Sequence, residues 1–227
     1  MHLLVLGRGK TGSLVAEVAH QRGHDVRAVG ASQNEGGCAL SESELRGIDI
    51  VIDFTAPGAV RENIAACLNA GVNLVVGTTG WYDGLPKVRE AVLQAGTGFL
   101  YAANFSIGIN LLFEIVRSGA QAMRHHYSGQ IFERHHAQKK DAPSGTALQL
   151  QGLIREASGR ELEIISFREG EVVGMHEIVL DSPHDTIYLC HDAKSRRGFA
   201  EGAVRAAEWL EGRKGFFSFQ DVWKEML

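Results

Sequence analysis

The densest run of reactive side chains is Glu133-Arg134-His135-His136-Ala137-Gln138-Lys139-Lys140-Asp141-Ala142-Pro143-Ser144-Gly145-Thr146-Ala147. Histidine transfers protons near neutral pH, and lysine adds positive charge and a further proton. Ser144 is a good N-cap, and free N–H groups at Gly145 and Thr146 would start the helix that follows. A carboxylate is welcomed there by dipole and donors together. On the residues alone two readings stand: a catalytic centre for an anionic substrate, and a solvated basic loop before a capped helix. No metal site is expected. Adjacent histidines on a strand point to opposite faces, and no cysteine or carboxylate stands at ligand spacing.

The second chemical signal is Gly7-Arg8-Gly9-Lys10-Thr11-Gly12, a G-x-G-x-x-G that follows a strand and opens a helix. Gly7 allows the tight turn, Gly9 the approach of a pyrophosphate, and Gly12 close packing of helix on strand. A glycine-rich turn without a ligand is the bland alternative, but the context favours a dinucleotide. The acid that would hold a ribose 2′-hydroxyl belongs about 20 residues on. Gly30-Ala31-Ser32-Gln33-Asn34 has no carboxylate before Glu35. That leaves room for a 2′-phosphate, with Arg8, Ser32 and Gln33 as candidate donors, and tilts the reading toward NADPH while leaving NADH open.

The elements that must position these groups follow from the apolar pattern. Strands are read at His2–Leu6, Asp25–Val29, Asp49–Phe54, Asn73–Gly77 and Gly98–Ala102. Helices are read at Ser13–Arg22, Ala59–Ala70 and Leu85–Gln94 between them. Such alternation argues for a doubly wound parallel sheet of Rossmann type. Only a stub of helix fits at Ser41–Leu45, so the crossover over Ser32–Gly47 is trimmed. After about Ile107 the rhythm changes: a helix to Met123, strands at Gly129–His136, Glu161–Phe167, Val172–Leu180 and Thr186–His191, and a helix over Ser144–Ala157. This reads as a smaller α+β domain with one mixed or antiparallel sheet. A helix over Phe199–Leu210 closes the segment, and the aromatic tail (Phe216, Phe217, Phe219, Trp223) needs burial, expected against the first domain. The division expected is residues 1–106 with 197–227 for the dinucleotide and 107–196 for substrate and assembly.

A chain of 227 residues with 44% hydrophobic and 22% charged residues folds as a globular protein. The net charge of −4 offers no global attraction to nucleic acid or an anionic membrane, so an anion site must be built locally. Three cysteines, Cys38, Cys67 and Cys190, form neither a disulfide framework nor a zinc ribbon. No run approaches the roughly 20 apolar residues of a membrane span, and the first residues run straight into a strand pattern without a leader signature. A cytoplasmic protein with no membrane or nucleic-acid partner is expected.

The block from Glu133 to Ala147 closely resembles the long catalytic signature of the dihydrodipicolinate reductase family. Gly77-Thr78-Thr79-Gly80, Ala103-Asn104-Phe105-Ser106 and Ser195-Arg196-x-x-Phe199-Ala200-x-Gly202-Ala203 resemble other stretches of that family, so the likeness spans Gly7 to Ala203. It implies an NADPH- or NADH-dependent reductase of 4-hydroxy-tetrahydrodipicolinate, a small cyclic dicarboxylate on the route to diaminopimelate and lysine. It also implies a homotetramer. By the same likeness Gly77, Thr78 and Thr79 border the nicotinamide and ribose, Ala103 to Ser106 line that cleft, and Asp53, Phe54 and Thr55 sit near it. His135 matches the family's general acid/base and Lys139 its proton donor. His136, Gly145 and Thr146 match residues that hold the substrate carboxylates, and Arg196 is a further candidate for that role. Two departures stand out: the short Ser32–Gly47 region, and Thr11 where many relatives carry methionine.

Two rivals differ in class. A semialdehyde-type dehydrogenase would need a catalytic cysteine or a different lysine–aspartate pair, and no cysteine here has a nucleophile's setting. A nucleotide-sensing regulator would show erosion of the histidine–lysine block, which is whole.

Overall fold

The computed structural model describes residues 1–226. In chain order the elements are β1 (His2–Leu6), α1 (Lys10–Gln21), β2 (Asp25–Val29), α2 (Glu42–Leu45), β3 (Ile50–Asp53), α3 (Val60–Asn69), β4 (Asn73–Val76), α4 (Leu85–Ala95) and β5 (Gly98–Tyr101). Then come α5 (Ile107–Gly119), β6 (Ser128–His135), α6 (Gly145–Ser158), β7 (Glu163–Arg168), β8 (Met175–Asp181) and β9 (Thr186–Asp192). After these come α7 (Arg197–Leu210), β10 (Gly215–Ser218), α8 (Phe219–Val222) and a 3₁₀ turn at Trp223–Met226. Two compact units result: Met1–Ser106 with the segment from Arg197 onward, and Ile107–Arg196.

The first unit is a six-stranded sheet in the order β10-β5-β4-β3-β1-β2, parallel throughout. Short continuous apolar runs such as Leu3–Leu6 and Ile50–Ile52 are fully buried, as strands covered on both faces must be. The chain leaves β1 toward β2 on one side and reaches β3 on the other, so a topological switch point lies at the C-terminal ends of β1 and β3. Open α/β sheets bind ligands at such points.

Three local readings need correction. Helix α1 starts at Lys10, not Ser13, so half of the glycine loop is already helical. The trimmed crossover is a pair of 3₁₀ turns, Ala31–Gln33 and Glu35–Leu40, before the stub α2. The aromatic tail contributes a sixth strand, β10, paired with β5 in the register Phe216↔Phe99. The two rings stack with centroids 5.2 Å apart, and Phe219 and Trp223 are buried.

The second unit is a mixed sheet in the order β7-β6-β8-β9, with β6 and β7 parallel and the other pairs antiparallel. One face buries Ile131 and Ile178 against Ile109, Phe113, Leu150 and Ile154 of α5 and α6. The other carries Phe132, Ile165, Phe167, Val179 and Tyr188 by strand alternation. Phe167 is 42% and Tyr188 66% exposed.

Candidate functional site

At the switch point of the first unit two clefts share Gly9, Phe54 and Thr55 in their walls. One, of about 280 Å³, is lined by the start of α1 (Lys10, Thr11, Gly12) and by Gly77, Thr78 and Thr79 beyond β4. The other, of about 510 Å³, is lined by Gly7 and Arg8 and by Gly30, Ala31 and Asn34 beyond β2. Gly9 caps α1 without a side-chain bond, so the first-turn N–H groups lack intrahelical acceptors where an anion would sit. A Cβ at Gly12 would stand 2.1 Å from the Gly7 carbonyl oxygen, and one at Gly7, whose φ is +100°, 2.1 Å from that of Phe54. Only glycine brings helix and strand this close. A Cβ at Gly9 would meet nothing within 4 Å, which is space for a ligand. These features fit a dinucleotide.

The floor of this site is a buried carboxylate whose anchoring role no local motif indicates. Asp53, at 0% exposure, takes three donors on one oxygen: Thr55 N (2.8 Å), Thr55 Oγ1 (2.6 Å) and Thr78 Oγ1 (2.7 Å). Its other oxygen accepts Asn63 Nδ2 at 2.8 Å. Asp53 therefore ties the loops after β3 and β4 together. Asn34, which was not among the candidate donors, lines the larger cleft, whereas Ser32 is exposed in its turn and the Gln33 side chain accepts the Gly30 N–H at 3.0 Å. Of the Ala103–Ser106 stretch, Phe105 is buried between Phe54 and Phe219 at centroid distances of 6.0 and 5.0 Å, so its ring is core. Asn104 Oδ1 accepts the Ser106 N–H at 2.9 Å and shapes the turn; Ala103 is exposed.

In the second unit, residues two apart on β6 share a face, so Glu133 and His135 both point into the interior. This corrects the expectation that no carboxylate stands at ligand spacing from the histidines. His135 Nδ1 is hydrogen-bonded to Glu133, whose other oxygen accepts Arg168 Nη2 at 2.7 Å. Arg168 stands beside His135 in the β6–β7 register, and His176 stands opposite Glu133 on β8. The rings of His135 and His176 meet edge-on at 5.1 Å. His176 Nε2 lies 3.1 Å from Ser144 Oγ, which caps α6 by accepting the Ala147 N–H at 3.2 Å.

Burial holds His135 below the usual imidazole range, with the Glu133 carboxylate opposing and the Lys139 and Arg168 charges adding to the fall. Burial alone would raise the Glu133 carboxyl, but bonds from Arg168 and Ser166 and the neighbouring positive charges hold it low. The result is an ionised Glu133 beside a neutral His135. A Cβ at Gly174 would stand 3.0 Å from His135 Nε2, so the missing side chain keeps that ring edge clear.

Lys139 Nζ is ion-paired with Asp141 at 2.8 and 2.9 Å, and the Asp141 carbonyl accepts Arg168 Nη2 at 2.5 Å. Gly145 opens α6 into free space, with Thr146 half-buried beside it. His136, the residue after β6, and Arg196, the last residue of the unit, are half-buried. Ligand atoms of Glu133, His135 and His176 lie within 4.8 Å of one another, a spacing that suits a metal ion. Glu133 is, however, already neutralised by Arg168 and His176 is engaged by Ser144, so the cluster reads as a hydrogen-bonded array.

Family models place the chain by both halves: the dihydrodipicolinate reductase N-terminus matches residues 1–105 and its C-terminus residues 108–223. The 4-hydroxy-tetrahydrodipicolinate reductase of Christiangramia forsetii is 37% identical over 240 residues, covering 100% of this chain and 99% of the relative. That of Natronomonas pharaonis is 38% identical over 248 residues, covering 98% and 100%. Among solved structures, a dipicolinate-bound dihydrodipicolinate reductase from Paenisporosarcina sp. TG-14 superposes with a TM-score of 0.77 at 23% identity, over 98% of this chain and 99% of that one.

Proposed function

The chain belongs to the dihydrodipicolinate reductase family, and from that premise we propose how its own residues divide the work. It is an NAD(P)H-dependent oxidoreductase that reduces 4-hydroxy-tetrahydrodipicolinate in diaminopimelate and lysine biosynthesis. The bound coenzyme supplies the hydride. In our reading the start of α1 and Gly7 to Gly12 hold its pyrophosphate, with Phe54, Thr55, Gly77, Thr78 and Thr79 around the nicotinamide half. Arg8 and Asn34 border the adenosine half.

The second unit takes the dicarboxylate. The Gly145 and Thr146 N–H groups at the capped start of α6 receive one carboxylate, aided by His136 and Arg196. Lys139 gives the proton that quenches negative charge left at carbon or nitrogen after reduction, and neutral His135 acts beside it as the acid/base at Nε2, taking up a proton there before passing it on. The observation that carries this assignment is His135 itself: buried, anchored through Nδ1, and with no side chain at Gly174 to cover Nε2. Steady-state kinetics test it. His135→Ala and Lys139→Ala should each lower kcat by about 10²-fold or more, while coenzyme affinity stays near wild type because the Gly7–Gly12 loop is untouched. Wild-type turnover in both variants rejects the assignment.

A homotetramer built on the open face of the β7-β6-β8-β9 sheet belongs to the same reading, supported by exposed Phe167 and Tyr188 there. Analytical ultracentrifugation of Phe167→Glu checks it by a shift to smaller species. The cytoplasm is the proposed compartment, supported by three free cysteines of which Cys38 and Cys190 are exposed. Among the described residues no helix is long and apolar enough to cross a membrane.

A further inference from the structure

The Glu133–Arg168 pair is bonded to His135 directly and reaches Lys139 through Asp141, yet neither residue has a part in the scheme above. Glu133 is wholly buried, with one carboxylate oxygen on His135 Nδ1 and the other 2.7 Å from Arg168 Nη2. The same Arg168 nitrogen donates to the Asp141 carbonyl, and the Asp141 carboxylate holds Lys139 Nζ at 2.8 Å. A single path of polar contacts thus runs from Lys139 through Asp141, Arg168 and Glu133 to His135. Isolating a carboxylate from water is costly unless it is paired and hydrogen-bonded, and here both oxygens are used.

We propose that Glu133 and Arg168 are positioning residues: Glu133 fixes His135 in the tautomer with its proton on Nδ1 and the Nε2 edge open, and Arg168 fixes Glu133 and the Lys139 loop together. The proposal rests on the assignment of His135 to proton transfer. A carboxylate accepts and never donates, so His135 Nδ1 must carry the proton. Arg168 in turn only donates. It therefore prevents the Glu133 side chain from being replaced by an amide without consequence. In Glu133→Gln the amide oxygen turns to Arg168 and the amide NH₂ to His135. Nδ1 then becomes the acceptor, and the proton moves to Nε2.

The groups around His135 are Glu133 on its own strand, Arg168 on β7, His176 on β8, and Lys139 and Asp141 on the following loop. Glu133 raises the His135 imidazole and Arg168 lowers it, so the two variants have opposite signatures. Glu133→Gln moves the His135 limb of the kcat/KM profile to lower pH, and Arg168→Met moves it to higher pH. A generic loss of structure would not give opposite signs.

The test is kinetics on Glu133→Gln, Arg168→Met, His135→Ala and Glu133→Gln/His135→Ala, with ¹⁵N imidazole shifts of His135. Glu133→Gln should lower kcat by about 10- to 100-fold, the scale of general acid–base loss, with coenzyme KM unchanged and the Nε2–H tautomer dominant. In the His135→Ala background the same substitution should cost less than about threefold, because residues that act as one unit are not additive. A full second loss in that background, an unchanged tautomer, or limbs that move the same way overturns the proposal while leaving His135 as the acid/base. Wild-type turnover in His135→Ala overturns the underlying assignment as well. If Glu133→Gln does not fold, the upward limb of Arg168→Met decides, and its absence rejects the proposal.

Discussion

Acidification from pH 7 to pH 5 should cost the fold about 2 kcal/mol through His176 alone. His176 is buried at 4% exposure, its Nε2 is 3.1 Å from Ser144 Oγ, and its Nδ1 has no partner among the described residues. An unpaired nitrogen lone pair inside the protein is tolerable, whereas an imidazolium would leave a charged N–H there without an acceptor. Burial, then the charge that His135 gains on acidification, and more weakly His191 and Lys139, push the imidazole down to about 3 against the opposing Glu133 carboxylate. Because the folded value lies below the unfolded one, the unfolded chain binds the extra proton between about pH 6.5 and 3. The stabilisation is present above the unfolded value and lost as pH falls through that window. At pH 5 the deficit is about 1.5 pH units at about 1.4 kcal/mol each.

The assay is urea unfolding by far-UV circular dichroism at several pH values, for the wild type and His176→Gln, whose amide can still donate to Ser144. Trp81, Trp209 and Trp223 all lie in the dinucleotide-fold unit, so tryptophan fluorescence would miss the event. The stability difference between wild type and variant should narrow by about 2 kcal/mol from pH 7 to pH 5. A change below about 0.5 kcal/mol would mean that His176 takes up its proton with an acceptor at hand, and the reasoning from burial and the orphaned Nδ1 would fail.

Gly174→Ala places a methyl 3.0 Å from His135 Nε2 at a position without left-handed backbone; kcat should fall at least about tenfold with the thermal midpoint almost unmoved, and equal turnover would show that this ring edge is not used. Asp53→Asn turns an NH₂ group toward Asn63 Nδ2 and weakens the bonds to Thr55 and Thr78. Calorimetry should show a loss of about 1–3 kcal/mol, and coenzyme titration a weaker affinity. NADPH and NADH should both support turnover within about a hundredfold, because no acid at the end of β2 repels a 2′-phosphate; steady-state comparison of the two decides. Pyridine-2,6-dicarboxylate should inhibit competitively against the cyclic substrate through the α6 start, and the absence of inhibition at millimolar levels would misplace the carboxylate cradle.

The doubly wound sheet is readable because parallel strands buried on both faces are unbroken apolar runs, and β1 and β2 are found at the bounds the pattern indicates. Where local pattern misleads, tertiary contacts outweigh local preference. Glycine argues against a helix, yet α1 begins at Lys10 because Gly12 packs on the Gly7 carbonyl, so the anion-facing N–H groups belong to Lys10, Thr11 and Gly12. Strand β10 is only four residues long and owes its existence to the free edge of β5, which no local window contains.

The same distinction separates the visible from the hidden part of the second unit. Ser144 is legible as a cap because capping is local, and it does accept the Ala147 N–H. Glu133 is within reach of the sequence, since a carboxylate two residues before a histidine on a strand shares its face, but the adjacent pair His135-His136 is the louder local signal. Arg168 and His176 are not within reach: they stand 33 and 41 residues beyond His135 in number, and only the registers of β6 with β7 and β8 bring them beside it. Reactive groups and a same-strand partner such as Glu133 can therefore be nominated by local motif, whereas the other groups that set their protonation, Arg168 and His176, come from neighbouring strands. It follows that substitutions on β7 and β8 should alter the pH dependence of this enzyme more than its binding of coenzyme, and the opposed limbs of Glu133→Gln and Arg168→Met are where that inference is exposed to measurement.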